Sequence, residues 1–190
     1  MNYSQMDEKL KSILDEKRYN HSKGVESLAV TLANIWGADV EKAGISALLH
    51  DNAKNISRDI LKKKISGITT DENILENPPL WHGPVGASLL KTEYGVDDEE
   101  IYNAVYYHTT GRKNMSLIER IIYISDVIEP SRDEKLEWAK EYRELAKVNL
   151  DMAIIKVTDK LLEYLKSKNV SINPAIYDVR EDAINRMNKI

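Results

Sequence analysis

A chain of 190 residues can bury a real core without staples, and with no cysteine it has no disulfide, zinc–thiolate site or cysteine nucleophile. Its 27 basic and 31 acidic residues, a formal net charge of -4, argue against general nucleic-acid binding but leave room for a small phosphorylated ligand held by a few local cations. The charged N-terminal stretch MNYSQMDEKLKSILDEK lacks the apolar core of a signal peptide, and no run approaches the roughly 18 apolar residues of a membrane span, so the expectation is a cytoplasmic protein without membrane association.

The hydrophobic pattern has a helical period throughout and predicts an all-α protein. A first helix runs from Ser4 as N-cap to about Lys17, with Leu10, Ile13 and Leu14 as its apolar stripe. A second runs from about Asn20 to Trp36, with Val25, Leu28, Leu32 and Ile35 on one face and Gly37 at its end. The third opens at Asp39, and a short one starts near Ser57. The stretch SGITTDENILENPPLWHGP is irregular, broken by Asn77-Pro78-Pro79. A helix follows with Pro84 in its first turn and Gly95 past its end. Asp97 with Glu100, and Ser116 with Glu119, have the spacing of capping boxes; they open helices to about His108 and Ile128. Pro130 stops the chain, helices follow near Asp133–Val148 and Asp151–Lys168, and Asn173-Pro174 starts a last one.

The four histidines, His21, His50, His82 and His108, are organised along this pattern. His21 shares a helical face with Val25, Leu28 and Leu32. His50 and Asp51 close the third helix in phase with Ala47. His108 is in phase with Ile101, Ala104 and Val105, and Asp126 with Ile118 and Ile122. One histidine on an apolar face is more often a satisfied core residue than a ligand. Several inward imidazoles and carboxylates are a different matter, because inward carboxylates are costly unless paired or metal-bound. One bound metal would relieve the whole set, and imidazole with carboxylate suits first-row divalent ions.

The order His21, then the doublet His50-Asp51, then His82 and His108, then Asp126, resembles the HD superfamily of phosphohydrolases, in its dinuclear branch. The stretches RYNHSKGV, LLHDNAK, HGPVGASLL, YHTTGRKNMSLIERIIYISD and IEPSR are similar to the YqeK family of symmetrical dinucleoside tetraphosphatases. The resemblance covers about residues 1–180. It implies a single HD-type helical bundle spanning 1–190, which cleaves diadenosine tetraphosphate into two ADP. It also implies two divalent metal ions, iron favoured, with manganese, cobalt or nickel tolerated by the same ligands. The metal set it implies is His21, His50, Asp51, His82, His108 and Asp126. Asp51 would bridge the ions, and His50, Asp51 and Lys54 would be the catalytic residues. The chain departs from the family at Asn52, where an aromatic residue is common, and at Ser125, where alanine is.

Substrate contacts are expected from Lys54, three residues after Asp51, and from Arg132, whose guanidinium can grip phosphate with two hydrogen bonds. Arg58 is a further candidate. Arg132 could instead pair with Asp133 or Glu134, and Lys54 could be a solvated lysine at a helix end. Thr109, Thr110 and Gly111 could offer hydroxyls and N–H groups to phosphate, though Gly111 is also explained as a helix C-cap. The ligand set leaves other enzymes open: a nucleotide phosphatase, a phosphodiesterase, or a nucleotide-binding regulatory module that has lost activity. The partner expected is a small nucleotide substrate; oligomeric state stays open, a homodimer included.

Overall fold

Eleven α-helices and no β-strand make up residues 1–188, the part of the chain described by the computed structural model. Helix α1 (Tyr3–Ile13) starts from Asn2 rather than Ser4: Asn2 accepts from the Gln5 N–H while Gln5 reaches back to the Asn2 N–H. It ends before Lys17, because Asp15 leaves the helix to cap α2 (Glu16–Trp36) through the Arg18 N–H. Gly37 ends α2, and Asp39 caps α3 (Val40–Leu49) as expected. Helix α4 (Arg58–Ile65) follows Ser57. The irregular stretch contains only α5 (Glu72–Leu75) and a 3-10 turn at Pro78–Leu80. Helix α6 (His82–Leu89) widens into a π turn at Leu90–Tyr94 before Gly95.

Asp98, not Asp97, caps α7 (Glu99–Tyr107), accepting from the Glu100 and Ile101 N–H groups. Ser116 and Glu119 do form the capping box of α8 (Leu117–Ile128). The helix expected from Asp133 begins later, as α9 (Ala139–Val148). Residues Pro130–Arg132 form a 3-10 turn instead, and the Asp133 carboxylate is taken by Arg143 at 2.6 and 2.7 Å, so it caps nothing. Asn149 caps α10 (Leu150–Ser167), and α11 (Ala175–Met187) follows Pro174.

Helix α8 is the spine. Ile121, Ile122, Ile124 and Ile128 on it are fully buried, each stabilising by about 1.5–3 kcal/mol relative to exposure. It packs against α2, α3, α7, α9 and α10. Three of these neighbours carry His21, His50 and His108, so the core of the bundle is also where the polar groups meet. Trp81 and Val85 pack with Leu61 and Ile65 of α4 and seat the start of α6. There, a β-carbon on Gly83 would stand 2.8 Å from the Tyr106 carbonyl of α7; glycine lets the two backbones close and brings His82 to His108. No helix among the described residues is long and apolar enough to cross a membrane.

Candidate metal centre

The four imidazoles form a continuous edge-to-face series. Ring centroids are 5.3 Å apart for His21–His50, 5.0 Å for His50–His108 and 4.9 Å for His82–His108. Each ring turns its Nδ1 to an outside acceptor. His50 donates to the Ala47 carbonyl at 2.7 Å, His82 to Pro79 at 2.8 Å, His108 to Val105 at 2.7 Å, and His21 to Glu129 Oε1 at 2.9 Å. A neutral imidazole that donates through Nδ1 presents Nε2 as a lone pair. Three of these bonds run to the carbonyl three residues back, so the local helix geometry itself orients the rings.

The Nε2 atoms converge on two carboxylates. Asp51 Oδ1 lies 3.2 Å from His82 Nε2 and 3.6 Å from His108 Nε2, and its Oδ2 3.8 Å from His50 Nε2. Asp126 Oδ1 lies 2.8 Å from His21 Nε2 and 3.7 Å from His50 Nε2. His21, His50 and Asp126 form one group with donor atoms within 4.8 Å of one another; His50, Asp51 and His108 form a second. All six residues expected from the sequence are thus brought together.

This arrangement fits divalent ions on its own terms. His82 Nε2 and His108 Nε2 stand 3.0 Å apart, and with both Nδ1 atoms donating outward, two lone pairs face each other. His50 Nε2 and Asp51 Oδ1 are buried without a hydrogen-bond partner among the described residues, a state that costs free energy unless something positive satisfies both. Burial pushes His50 down to about 4 and lowers His82 as well, which favours the neutral form, the one able to accept a metal ion. His21 behaves oppositely: burial disfavours its charge, but the hydrogen bonds to Asp126 and Glu129 outweigh that and raise it to about 9. Burial also opposes the charge of Asp51, yet the surrounding imidazoles hold it well below the usual carboxylate range.

The protein's own cations reach into the same space. Lys54 Nζ stands 2.9 Å from His82 Nε2 and 3.4 Å from Asp51 Oδ1. Arg132 Nη2 stands 3.3 Å from His21 Nε2 and 3.2 Å from Asp126 Oδ1; its partners are Asp126 and Glu129, not Asp133 or Glu134. The Thr109 hydroxyl lies 3.0 Å from His108 Nε2 and 3.3 Å from His82 Nε2. Other expected contacts are elsewhere. Thr110 is buried and donates to the Gly111 carbonyl. Gly111, at φ 63°, is packed so closely on α11 that a β-carbon would overlap Val179, which by itself accounts for a glycine there. Arg58 is exposed at the start of α4, with no hydrogen bond or ion pair to the cluster. Asn52 turns away too, donating to the Gly86 carbonyl at 3.1 Å and tying the doublet to α6.

Glu129 escaped the sequence reading. It is 1 % exposed and accepts from His21 Nδ1, from the Ser131 N–H at 2.7 Å and from the Ser131 hydroxyl. Its one sequence signal is its place in IEPSR, three residues after Asp126; nothing there reveals a partner more than a hundred residues away. Beside the cluster opens a cleft of about 690 Å³, reached by His108, Thr109, Asp126 and Arg132.

Residues 18–131 match the family described as HD domain. The chain belongs to the HD-domain family of metal-dependent hydrolases, within the group of symmetrical bis(5'-nucleosyl)-tetraphosphatases. It is 41% identical over 166 residues to the protein of that name from Bacillus subtilis, covering 87% of this chain and 88% of that one. It is 38% identical over 169 residues to its counterpart from Halalkalibacterium halodurans, again covering 87% and 88%. Its fold matches a crystal structure from Clostridium acetobutylicum, described as a predicted HD superfamily hydrolase involved in NAD metabolism, with a TM-score of 0.90, 37% identity and 98% of each chain covered.

Proposed function

We propose that this chain hydrolyses the central phosphoanhydride of a dinucleoside tetraphosphate, converting diadenosine tetraphosphate to two ADP. The observation that carries the reading is the convergence of the four Nε2 atoms on Asp51 and Asp126. His21, His50 and Asp126 would hold one divalent ion, and His82, His108 and Asp51 a second, with His50 and Asp51 between them. Iron is our first choice, with manganese, cobalt or nickel compatible with the same donors. When bound, such a pair lowers the pKa of water and offsets phosphate charge.

The chain's residues do the rest. Asp51 faces three imidazoles with both oxygens and fixes the spacing of the two groups. Lys54 and Arg132, which stand against Nε2 atoms, are positioned to turn to phosphate oxygens on either side of the scissile bond, Arg132 through paired N–H groups. Thr109 can donate to a phosphate oxygen from between His82 and His108. Water adds to one central phosphorus, and the anhydride oxygen leaves with the other. Two ADP result, and the two protons of water pass to solvent as the new terminal phosphates ionise. Residues 1–190 would form one domain, since α9, α10 and α11 share their apolar core with α2 and α8. A cytoplasmic setting accords with a cysteine-free chain acting on a nucleotide.

The test is hydrolysis of diadenosine tetraphosphate in oxygen-18 water by anaerobically purified, metal-analysed protein. ADP as the sole nucleotide product, with label on the terminal phosphate of one ADP in two, is expected. AMP and ATP in equal amounts would overturn symmetrical scission.

A further inference from the structure

The cleft beside the cluster has the size of a small-molecule site, about 690 Å³ against a usual range of about 300–1,000 Å³. Its lining combines residues of the cluster with aromatic and aliphatic side chains from elsewhere. Asp126, His108 and Arg132 make the polar end. Apolar surface comes from Leu136 and Trp138 of the segment leading into α9, and from Leu161 and Tyr164 of α10. Trp138 is half-buried and leans on the buried Tyr142, ring centroids 5.0 Å apart, so its orientation is fixed. Tyr164 is 58% exposed at the rim, its ring approached by the flexible Lys168 ammonium at 5.7 Å. Lys160, Glu163 and Ser167 on the same helix supply polar groups along the edge.

A nucleotide has the same order of chemistry, with phosphate at one end and a flat apolar face with a polar edge at the other. We propose that this cleft binds the nucleoside of one half of the substrate, its base lying against Trp138 and covered by Tyr164, with its phosphates running past Arg132 to the cluster. The assignment rests on the dinucleoside tetraphosphate reading above. Trp138 and Tyr164 are then specificity residues. Stacking tolerates different bases, because every base offers a π face, so discrimination between bases falls to the polar edge on α10.

The experiment uses full-length, metal-loaded protein, with ADP and pyrophosphate as paired probes that differ by the nucleoside. Tryptophan fluorescence reports the binding, and Trp138→Leu identifies which of the chain's 3 tryptophans responds. ADP is expected to quench and pyrophosphate is not. Trp138→Leu should lose the quench and weaken ADP about tenfold or more, the scale of one base–aromatic stack, while pyrophosphate affinity holds. Because Trp138 also touches the core, Tyr164→Ala is the second variant; exposed as it is, its loss should weaken ADP severalfold with the melting temperature unchanged. ADP affinity within twofold of wild type in both variants, or an equal quench by pyrophosphate, would overturn the assignment. The two readings separate cleanly. Symmetrical cleavage with an unchanged KM in Trp138→Leu removes the cleft and keeps the reaction. Base-dependent binding without cleavage of diadenosine tetraphosphate keeps the cleft and removes the reaction.

Discussion

Glu129 and Gly24 test how the cluster is held. The Glu129 carboxylate accepts from His21 Nδ1 at 2.9 Å and from the Ser131 N–H at 2.7 Å. Glu129→Gln keeps the volume but exchanges one acceptor oxygen for a donor NH2. If its oxygen stays on His21, the NH2 faces the Ser131 N–H; if it turns, the NH2 faces His21 Nδ1–H. One buried donor loses its acceptor either way, at a cost of about 1–3 kcal/mol. Removing the carboxylate behind a ligating histidine typically lowers metal affinity about 10–100-fold, or about 1.4–2.7 kcal/mol. Gly24→Ala reaches the same carboxylate by another route, since its β-carbon would overlap Glu129 Oε2. We expect both variants to show metal dissociation constants about 10–100-fold above wild type. The double variant should be little worse than Glu129→Gln, because both changes act through one group and do not add. Competition against a graded series of chelators measures this, with circular dichroism and thermal melts confirming the fold. Unchanged metal affinity in folded Glu129→Gln, or full additivity in the double variant, would refute the reasoning.

Other outcomes follow from the same geometry. Asp51→Asn should lower turnover of diadenosine tetraphosphate by more than about a hundredfold, beyond the loss typical of groups behind the ligands, and activity near wild type would rule out its bridging role. His82→Ala or His108→Ala should reduce metal content toward one ion per chain by elemental analysis, leaving helix content unchanged; two ions retained would contradict the second group. Arg132→Lys should raise KM about tenfold, the scale of one charge-assisted hydrogen bond, with metal content intact; lost metal would instead make Arg132 a support for His21 and Asp126. His21, raised to about 9 from an ordinary 6.5, carries a proton at pH 7.5 in the metal-free protein and must lose it to ligate. Loading at pH 7.5 should therefore release close to one proton, and the release should fade as pH rises through 9. Titration calorimetry in two buffers of different ionisation heat reads this, and equal apparent heats would refute it. The raised value also means that His21 stabilises the metal-free fold fully below pH 6.5, a contribution lost as pH climbs through 9.

The sequence by itself determined the class of fold and the identity of the six clustered residues. Helical periodicity is a local property, and His21, Asp126 and His108 could be read as inward because they share phase with Val25, Ile122 and Ala104. Ser116 with Glu119 was legible for the same reason, since both halves of that box lie within one turn. Where neighbouring residues offered similar signals, the sequence did not choose between them, and the caps are Asp98 rather than Asp97, Asn149 rather than Asp151, and Asn2 rather than Ser4. The expected helix start at Asp133 failed because Arg143, on α9, takes the carboxylate that would have capped it. Gly111 could be seen as a turn, but not as the surface on which Val179 packs. The pairing of Glu129 with His21, the lone pairs facing one another from His82 and His108, and the cleft running from Arg132 to Tyr164 belong to the fold alone. Each joins groups far apart in the chain, through the packing of α2, α7 and α10 around α8 and of α6 on α7. A one-dimensional pattern records which way a side chain leans on its own helix, but not what it meets there.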